Sequence, residues 1–119
     1  MDAIKAAIGK AEGFLVLGMG VDAWESLEAL HTEGKIHPRV LELRLEILVH
    51  EKEWEKAIIL GDSLASLLPN SAAVWMSLAR SRTQLGHITE AKEALARAFG
   101  LDEKLRLPAL SDALLAALL

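Results

Sequence analysis

The four histidines, His31, His37, His50 and His87, are the side chains of this sequence that could bind a metal ion or transfer protons near neutral pH. They belong to different segments, the HExxH spacing of a metal-binding helix is absent, and the sequence contains no Cys. Metal and general-base sites need several such groups to converge. We therefore interpret the histidines as solvated residues of loops and helix ends.

A carboxylate pair, Glu42 and Glu46, offers a second kind of chemistry, because residues four apart share a helical face. A general acid needs a buried environment that raises its pKa, and nothing in the surrounding sequence indicates one. The serines lack a GxSxG context, and the glycines form no phosphate-binding loop after a strand. The sequence therefore predicts a protein that is not an enzyme and has no catalytic, cofactor or metal site.

The composition favours one helical domain, 1–119, because 52% of the residues are hydrophobic and Ala and Leu dominate. The formal net charge is −4 and like charges form no long run, which argues against nucleic-acid binding. The longest apolar stretch near the N-terminus, residues 13–21, is too short to span a bilayer. We expect a cytoplasmic protein without a membrane or nucleic-acid partner.

Apolar residues recur at intervals of three and four, as in Leu41, Leu45 and Leu48, which is the period of an α-helix. Pro38 and Pro69 separate helices, and Asn70 or Ser71 is placed to cap the helix that follows. The pattern predicts seven helices, over residues 2–17, 22–32, 39–50, 54–67, 72–85, 89–99 and 109–119.

Small residues recur every 34 positions, at Ala23, Ala57 and Ala91. The same interval relates further sets of helical positions, which are Ala7/Leu41/Trp75, Ala11/Leu45/Ala79, Phe14/Leu48/Arg82, Gly18/Lys52/Gly86 and Leu30/Leu64/Ala98. Helices that cross at side chains no larger than Ala can approach closely. The sequence therefore contains an internal repeat of one helical hairpin.

This 34-residue unit resembles the tetratricopeptide repeat. The units are 4–37, 38–71 and 72–105, and the third matches best, with Trp75, Leu78, Ala79, Gly86, Ala91, Leu95 and Ala98 on positions that the family usually fills in this way. Departures include Lys52 in place of a turn glycine, and Arg44 and Arg82 at positions usually apolar. The resemblance implies an all-α, right-handed superhelix of three hairpins, capped by a C-terminal helix over 108–119.

The family also implies a concave groove, lined by the first helix of each unit, that binds a peptide or helix of a partner protein. In this register Arg39 and Arg80 would orient the partner by pairing with its carboxylates. An equally open alternative is that stacking of the repeats buries some of these side chains. The predicted groove residues are Ile8, Glu12, Leu15, Arg39, Glu42, Leu43, Glu46, Val49, His50, Met76, Arg80 and Gln84.

The apolar C-terminal segment favours a different class of function, because terminal units of repeat arrays ordinarily present a polar outer face. The alternative hypotheses are therefore a homodimer formed through this helix, or a small secretion-type or assembly chaperone. The residues that would mediate self-association are Leu110, Leu114, Leu115 and Leu118.

Overall fold

Three residues with left-handed backbone conformation recur at the 34-residue interval of the sequence repeat. In the computed structural model, which describes residues 2–118, φ is 75° at Gly18, 60° at Lys52 and 79° at Gly86. Glycine adopts this conformation without steric cost, whereas a residue with a Cβ atom is strained there. Lys52 therefore takes the backbone conformation of the two glycines that it matches in the repeat.

The residues that follow these three positions also repeat in geometry. The next residue in each case has ψ between 65° and 67° and precedes the first residue of a helix. Its carbonyl accepts a hydrogen bond from the amide four residues later, at 3.0, 2.9 and 2.9 Å. The donors are Ala23, Ala57 and Ala91, and each has a relative exposure of 0%. The 34-residue interval thus recurs in backbone geometry and in burial.

Regular secondary structure within residues 2–118 is helical, covers 79% of the chain and includes no strand. The α-helices are α1 (Asp2–Val16), α2 (Gly20–Glu28), α3 (Thr32–Lys35), α4 (Pro38–His50), α5 (Trp54–Leu67), α6 (Ala72–Gln84), α7 (Ile88–Leu101) and α8 (Arg106–Leu110). Single 3-10 turns follow at Glu103–Leu105 and Ala116–Leu118. No helix of this described part is long and apolar enough to cross a membrane.

Sequence punctuation predicted several helix ends. The structure confirms the bounds of α5 at both ends, and α4 begins at Pro38, whose missing amide donor is tolerated in a first turn. Of the two expected caps for α6, Ser71 is used, since its hydroxyl accepts from the Val74 amide at 3.3 Å.

The predicted helix over residues 22–32 is wrong at both ends. The observed helix α2 begins earlier, at Gly20, and ends earlier, at Glu28. The separate short helix α3 follows it. The Leu30 amide donates to the Leu27 carbonyl, only three residues back, at 3.1 Å, and His31 is extended with ψ 167°. The helix therefore ends in a turn at Leu30, whose side chain packs in the core.

The predicted helix over residues 109–119 is also wrong. After α8 the chain forms turns up to the 3-10 turn Ala116–Leu118, and Leu119 lies outside the described residues. Asp112 explains the interruption, because its Oδ1 accepts a hydrogen bond from the Leu114 amide at 2.9 Å. A local bond from an aspartate side chain to the backbone competes with helical hydrogen bonding.

The chain divides into two compact units, Met1–Glu51 and Lys52–Leu119. In the first, α1 packs on α2, and both pack on α4 around a core. That core consists of Ala7, Ala11, Ala23, Leu27, Leu30, Val40, Leu43 and Ile47. In the second unit, α6 packs between α5 and α7. The single-domain organisation over 1–119 and the right-handed superhelix stay predictions.

Replacing Lys52 with Gly should raise the free energy of unfolding by about 0.5–1 kcal/mol, because relief of left-handed strain outweighs the larger chain entropy of glycine when unfolded. The matched control is Lys92→Gly on the exposed side of α7, which should lower stability by about 1 kcal/mol. Urea unfolding of both variants measures the difference. An equal loss of unfolding free energy in the two variants would contradict the inference that the backbone at residue 52 is strained.

Replacing Ala91 with Leu should destabilise the chain by about 1–3 kcal/mol, because the site has no room for three further carbon atoms. Ala96→Leu is the control, since Ala96 lies exposed on the same helix, and we expect a change within about 0.5 kcal/mol. Chemical unfolding monitored by circular dichroism distinguishes the two. Similar stabilities would show that the position at 91 is not tightly packed.

Candidate binding surface

Arg39 on α4 binds carboxylates of its own unit. Its Nε and Nη2 donate to Oε2 of Glu12 on α1 at 3.2 and 2.9 Å. Its Nη1 donates to Oε2 of Glu46 at 2.7 Å and to Oε1 of Glu42 at 3.3 Å. All four side chains lie at predicted groove positions, and the structure brings them together as one ion-pair network that joins α1 to α4.

The network fixes the charge state of Arg39. Burial of the guanidinium opposes its charged form, but the charge of Glu46 and the hydrogen bonds to Glu12, Glu46 and Glu42 outweigh this, so that the pKa of Arg39 is raised above its ordinary value. Arg39 was expected to pair with carboxylates of a partner. In the structure its three nitrogen atoms already donate to Glu12, Glu42 and Glu46.

The apolar residues predicted for the groove differ in how far their side chains are buried. Leu43, Val49 and Met76 are core side chains, with relative exposures of 0%, 7% and 5%. Ile8 and Leu15 are half-buried and pack against the core of the first unit. A partner therefore reaches Ile8 and Leu15 without rearrangement but does not reach Leu43, Val49 or Met76, because neighbouring residues of the chain already cover them.

The remaining groove positions are accessible. His50 is exposed at the end of α4, where its Nδ1 lies 3.3 Å from Oε2 of Glu51. Gln84 is exposed at the end of α6. Arg80, one turn before Gln84, is half-buried and donates from Nε to Oδ2 of Asp112 at 2.7 Å. Arg80 therefore also pairs with a carboxylate of the chain itself, this time from the C-terminal segment.

The residues predicted for self-association do not form one helical face, because the helix that would align them is interrupted. Leu110 is exposed at 65%, whereas Leu115 is fully buried. Leu114 and Leu118 are half-buried. A homodimer through these residues stays a prediction, and in this structure only Leu110 presents most of its surface.

Two further ion pairs lie where a second helix meets the first helix of the next predicted unit. Arg44 on α4 donates to Oε1 of Glu28 on α2 at 2.8 Å and stacks on the Trp24 ring, 4.6 Å from its centroid. Arg82 on α6 donates to Oδ1 of Asp62 on α5 at 2.6 Å. The two arginines that depart from the apolar family pattern are thus largely buried and paired. These pairs were not predicted from the sequence, although Glu28 and Asp62 are themselves 34 residues apart.

The histidine and glutamate side chains considered for catalysis include several with hydrogen-bonding partners in the structure. Within the described part of the chain, no three His, Asp or Glu side chains are close enough together to hold a metal ion. His37 serves as the N-cap of α4, because its Nδ1 accepts from the Arg39 amide at 3.2 Å. Glu42 and Glu46 belong to the Arg39 network.

Comparison with known proteins identifies no relative: no family model, curated protein or solved structure matches the chain.

The Glu28 carboxylate gives a direct measure of the α2–α4 ion pair. Hydrogen bonding to Arg44 and the charge of that guanidinium hold the pKa of Glu28 below its ordinary value. We expect Arg44→Ala to return this pKa toward the ordinary range, as measured by an NMR titration of the side-chain carboxyl carbon. Because the folded-state pKa is lowered, the stabilisation is present above the unfolded pKa of about 4.3 and is lost as the pH falls.

Arg39→Ala is the control for this titration, since Arg39 contacts other carboxylates and makes no hydrogen bond to Glu28. The titration of Glu28 should be unchanged in that variant. An unchanged Glu28 titration in Arg44→Ala would contradict the pair.

Proposed function

We propose that the chain is a tetratricopeptide-like helical repeat that acts as a non-catalytic binding module for a protein or peptide partner. The observation that carries the proposal is the recurrence of left-handed residues at Gly18, Lys52 and Gly86. Each is followed by the same helix start, and five residues later by a fully buried alanine. Repeated helical hairpins offer extended surfaces for recognition and are widely used in binding.

The accessible side of α1 and α4 supports the proposal in the first unit. It presents the half-buried apolar side chains Ile8 and Leu15 beside the charged network of Glu12 and Arg39. Protein interfaces commonly combine apolar anchors with a polar surround that orients the partner. This surface, defined by Ile8, Glu12, Leu15, Arg39, Glu42, Glu46 and His50, is called the α1/α4 face below.

A charge reversal on the α1/α4 face tests the assignment. Glu12→Lys should reduce partner capture from a lysate of the source cells by about tenfold or more, because it places a lysine beside Arg39 and alters the orienting charges. The protein should remain folded, since Glu12 is 47% exposed and exposed ion pairs contribute little to stability, roughly 0–1 kcal/mol. Quantitative mass spectrometry of the captured proteins gives the measurement.

Glu25→Lys is the matched control, because Glu25 is also exposed but lies on α2, outside the α1/α4 face. It makes the same change in net charge, so that nonspecific electrostatic effects on capture should be equal in the two variants. A protein enriched by the wild type and by Glu25→Lys, but lost with Glu12→Lys, would support binding at the α1/α4 face. Equal capture by all three chains would overturn the assignment.

A further inference from the structure

The C-terminal segment 111–118 lies against α6 in the second unit. Asp112 contacts Arg80, and the carbonyl of Leu114 accepts from Nε2 of Gln84 at 3.5 Å. Leu115 is fully buried, and the 3-10 turn Ala116–Leu118 packs against α7. Two residues that the repeat register assigns to partner binding, Arg80 and Gln84, therefore contact the chain's own C-terminal segment, which we call the tail.

The tail is recognised through a short pattern of groups. Oδ2 of Asp112 accepts from Arg80 at 2.7 Å, while Oδ1 accepts from the Leu114 amide at 2.9 Å and shapes the turn. Arg80 and Gln84 are one helical turn apart and contact successive parts of this turn, a carboxylate and a main-chain carbonyl. The next residue, Leu115, is fully buried. The α6 surface thus contacts a carboxylate that is followed two and three residues later by leucines.

These contacts are few for a segment of this length. Residues Leu110, Ser111, Ala113, Ala116 and Ala117 are exposed, and the Arg80–Asp112 pair keeps 28% and 17% of its side-chain surface accessible to water. Segments with few buried apolar side chains and with solvent-exposed backbone hydrogen bonds open at low free energy. Within the described residues, the tail contacts α6 through the partly accessible Arg80–Asp112 pair and the long Gln84 hydrogen bond, and another segment of the same chemistry can replace both.

We propose that this surface of α6 binds a short acidic segment of a partner protein that turns as the tail does, with a carboxylate followed at the second and third positions by large aliphatic residues. In the free protein the tail occupies the surface as an internal ligand, so that a partner binds in competition with it. Arg80 provides the charge complementarity that selects a carboxylate. The inference rests on the proposed binding function and specifies the partner for one surface in the second unit.

A peptide with the sequence of residues 107–118, labelled with fluorescein, is the probe. Titration with the full-length chain should show binding about tenfold tighter for Asp112→Ala than for the wild type, because loss of the ion pair raises the fraction of molecules whose α6 surface is open. Asp112→Asn keeps an acceptor for the Leu114 amide but loses the charge, and it should give a gain in the same direction. Fluorescence anisotropy measures both affinities.

Three controls test whether the peptide binds as the tail does. Removing the guanidinium with Arg80→Ala in the Asp112→Ala chain should weaken binding about tenfold, and Gln84→Ala, at an exposed position, should weaken it less. A peptide in which the aspartate is replaced by alanine should also bind about tenfold less tightly than the original. Circular dichroism establishes that each variant is folded, and Gln84→Ala provides the test if Arg80→Ala does not fold.

Equal affinity of the wild type, Asp112→Ala and Asp112→Asn for the peptide would overturn the internal competition. No peptide binding by any variant would overturn the α6 surface, whereas lysate capture that depends on Glu12 would still support the proposed function. Conversely, peptide binding without Glu12-dependent capture would support this surface alone. Light scattering that shows a wild-type dimer dissociated by Asp112→Ala would assign the tail to a second copy and overturn its role as an internal ligand.

Discussion

The left-handed residue at the end of a helix is the constraint on which the repeated geometry depends. It places the next helix start so that the carbonyl at its N-cap accepts from an amide four residues later, which belongs to a fully buried alanine. The left-handed residue provides the sharp turn between the helices, and the small alanine lets the next helix approach its neighbour closely. Lys52 shows that the requirement is met even where the sequence departs from glycine, since its backbone follows that of Gly18 and Gly86.

Where helices approach closely at small side chains, long polar side chains cover the sides of the helices. Arginine does this at several positions. Arg44 stacks on Trp24 and pairs with Glu28, while Arg97 lies 5.0 Å from the centre of the Trp75 ring. The aliphatic stem of arginine buries apolar surface, and its guanidinium binds carboxylates and aromatic faces at the rim. Arg39 and Arg80, which the repeat register assigns to a partner, are likewise paired with carboxylates of the chain.

Much of the fold could be predicted from local sequence signals, because caps and period act over a few residues. Trp54–Leu67 was predicted at both ends, and Ser71 and Pro38 mark the helix starts at which they were expected. The turns of the tail were not predicted, because the Ala and Leu residues there favour a helix. The Asp112 side chain interrupts that helix through its hydrogen bonds to Leu114 and Arg80. The register also assigned Leu43 to one face of its helix without indicating depth, which depends on the neighbouring helices that cover it.

The acidic residues Glu28 and Asp62 occupy matching positions in the repeat, but their arginine partners do not. Arg44 corresponds to position 78 of the third unit, and Arg82 to position 48 of the second, so the two arginines are offset by one helical turn. Leu78 and Leu48 occupy the exchanged positions, and neither carries a charge. Each acid therefore meets its guanidinium at a different turn of the following helix, so that the two ion pairs are not copies of one another. The ion pairs therefore give the α2–α4 and α5–α6 junctions different charge patterns, although their acids share one position of the sequence repeat.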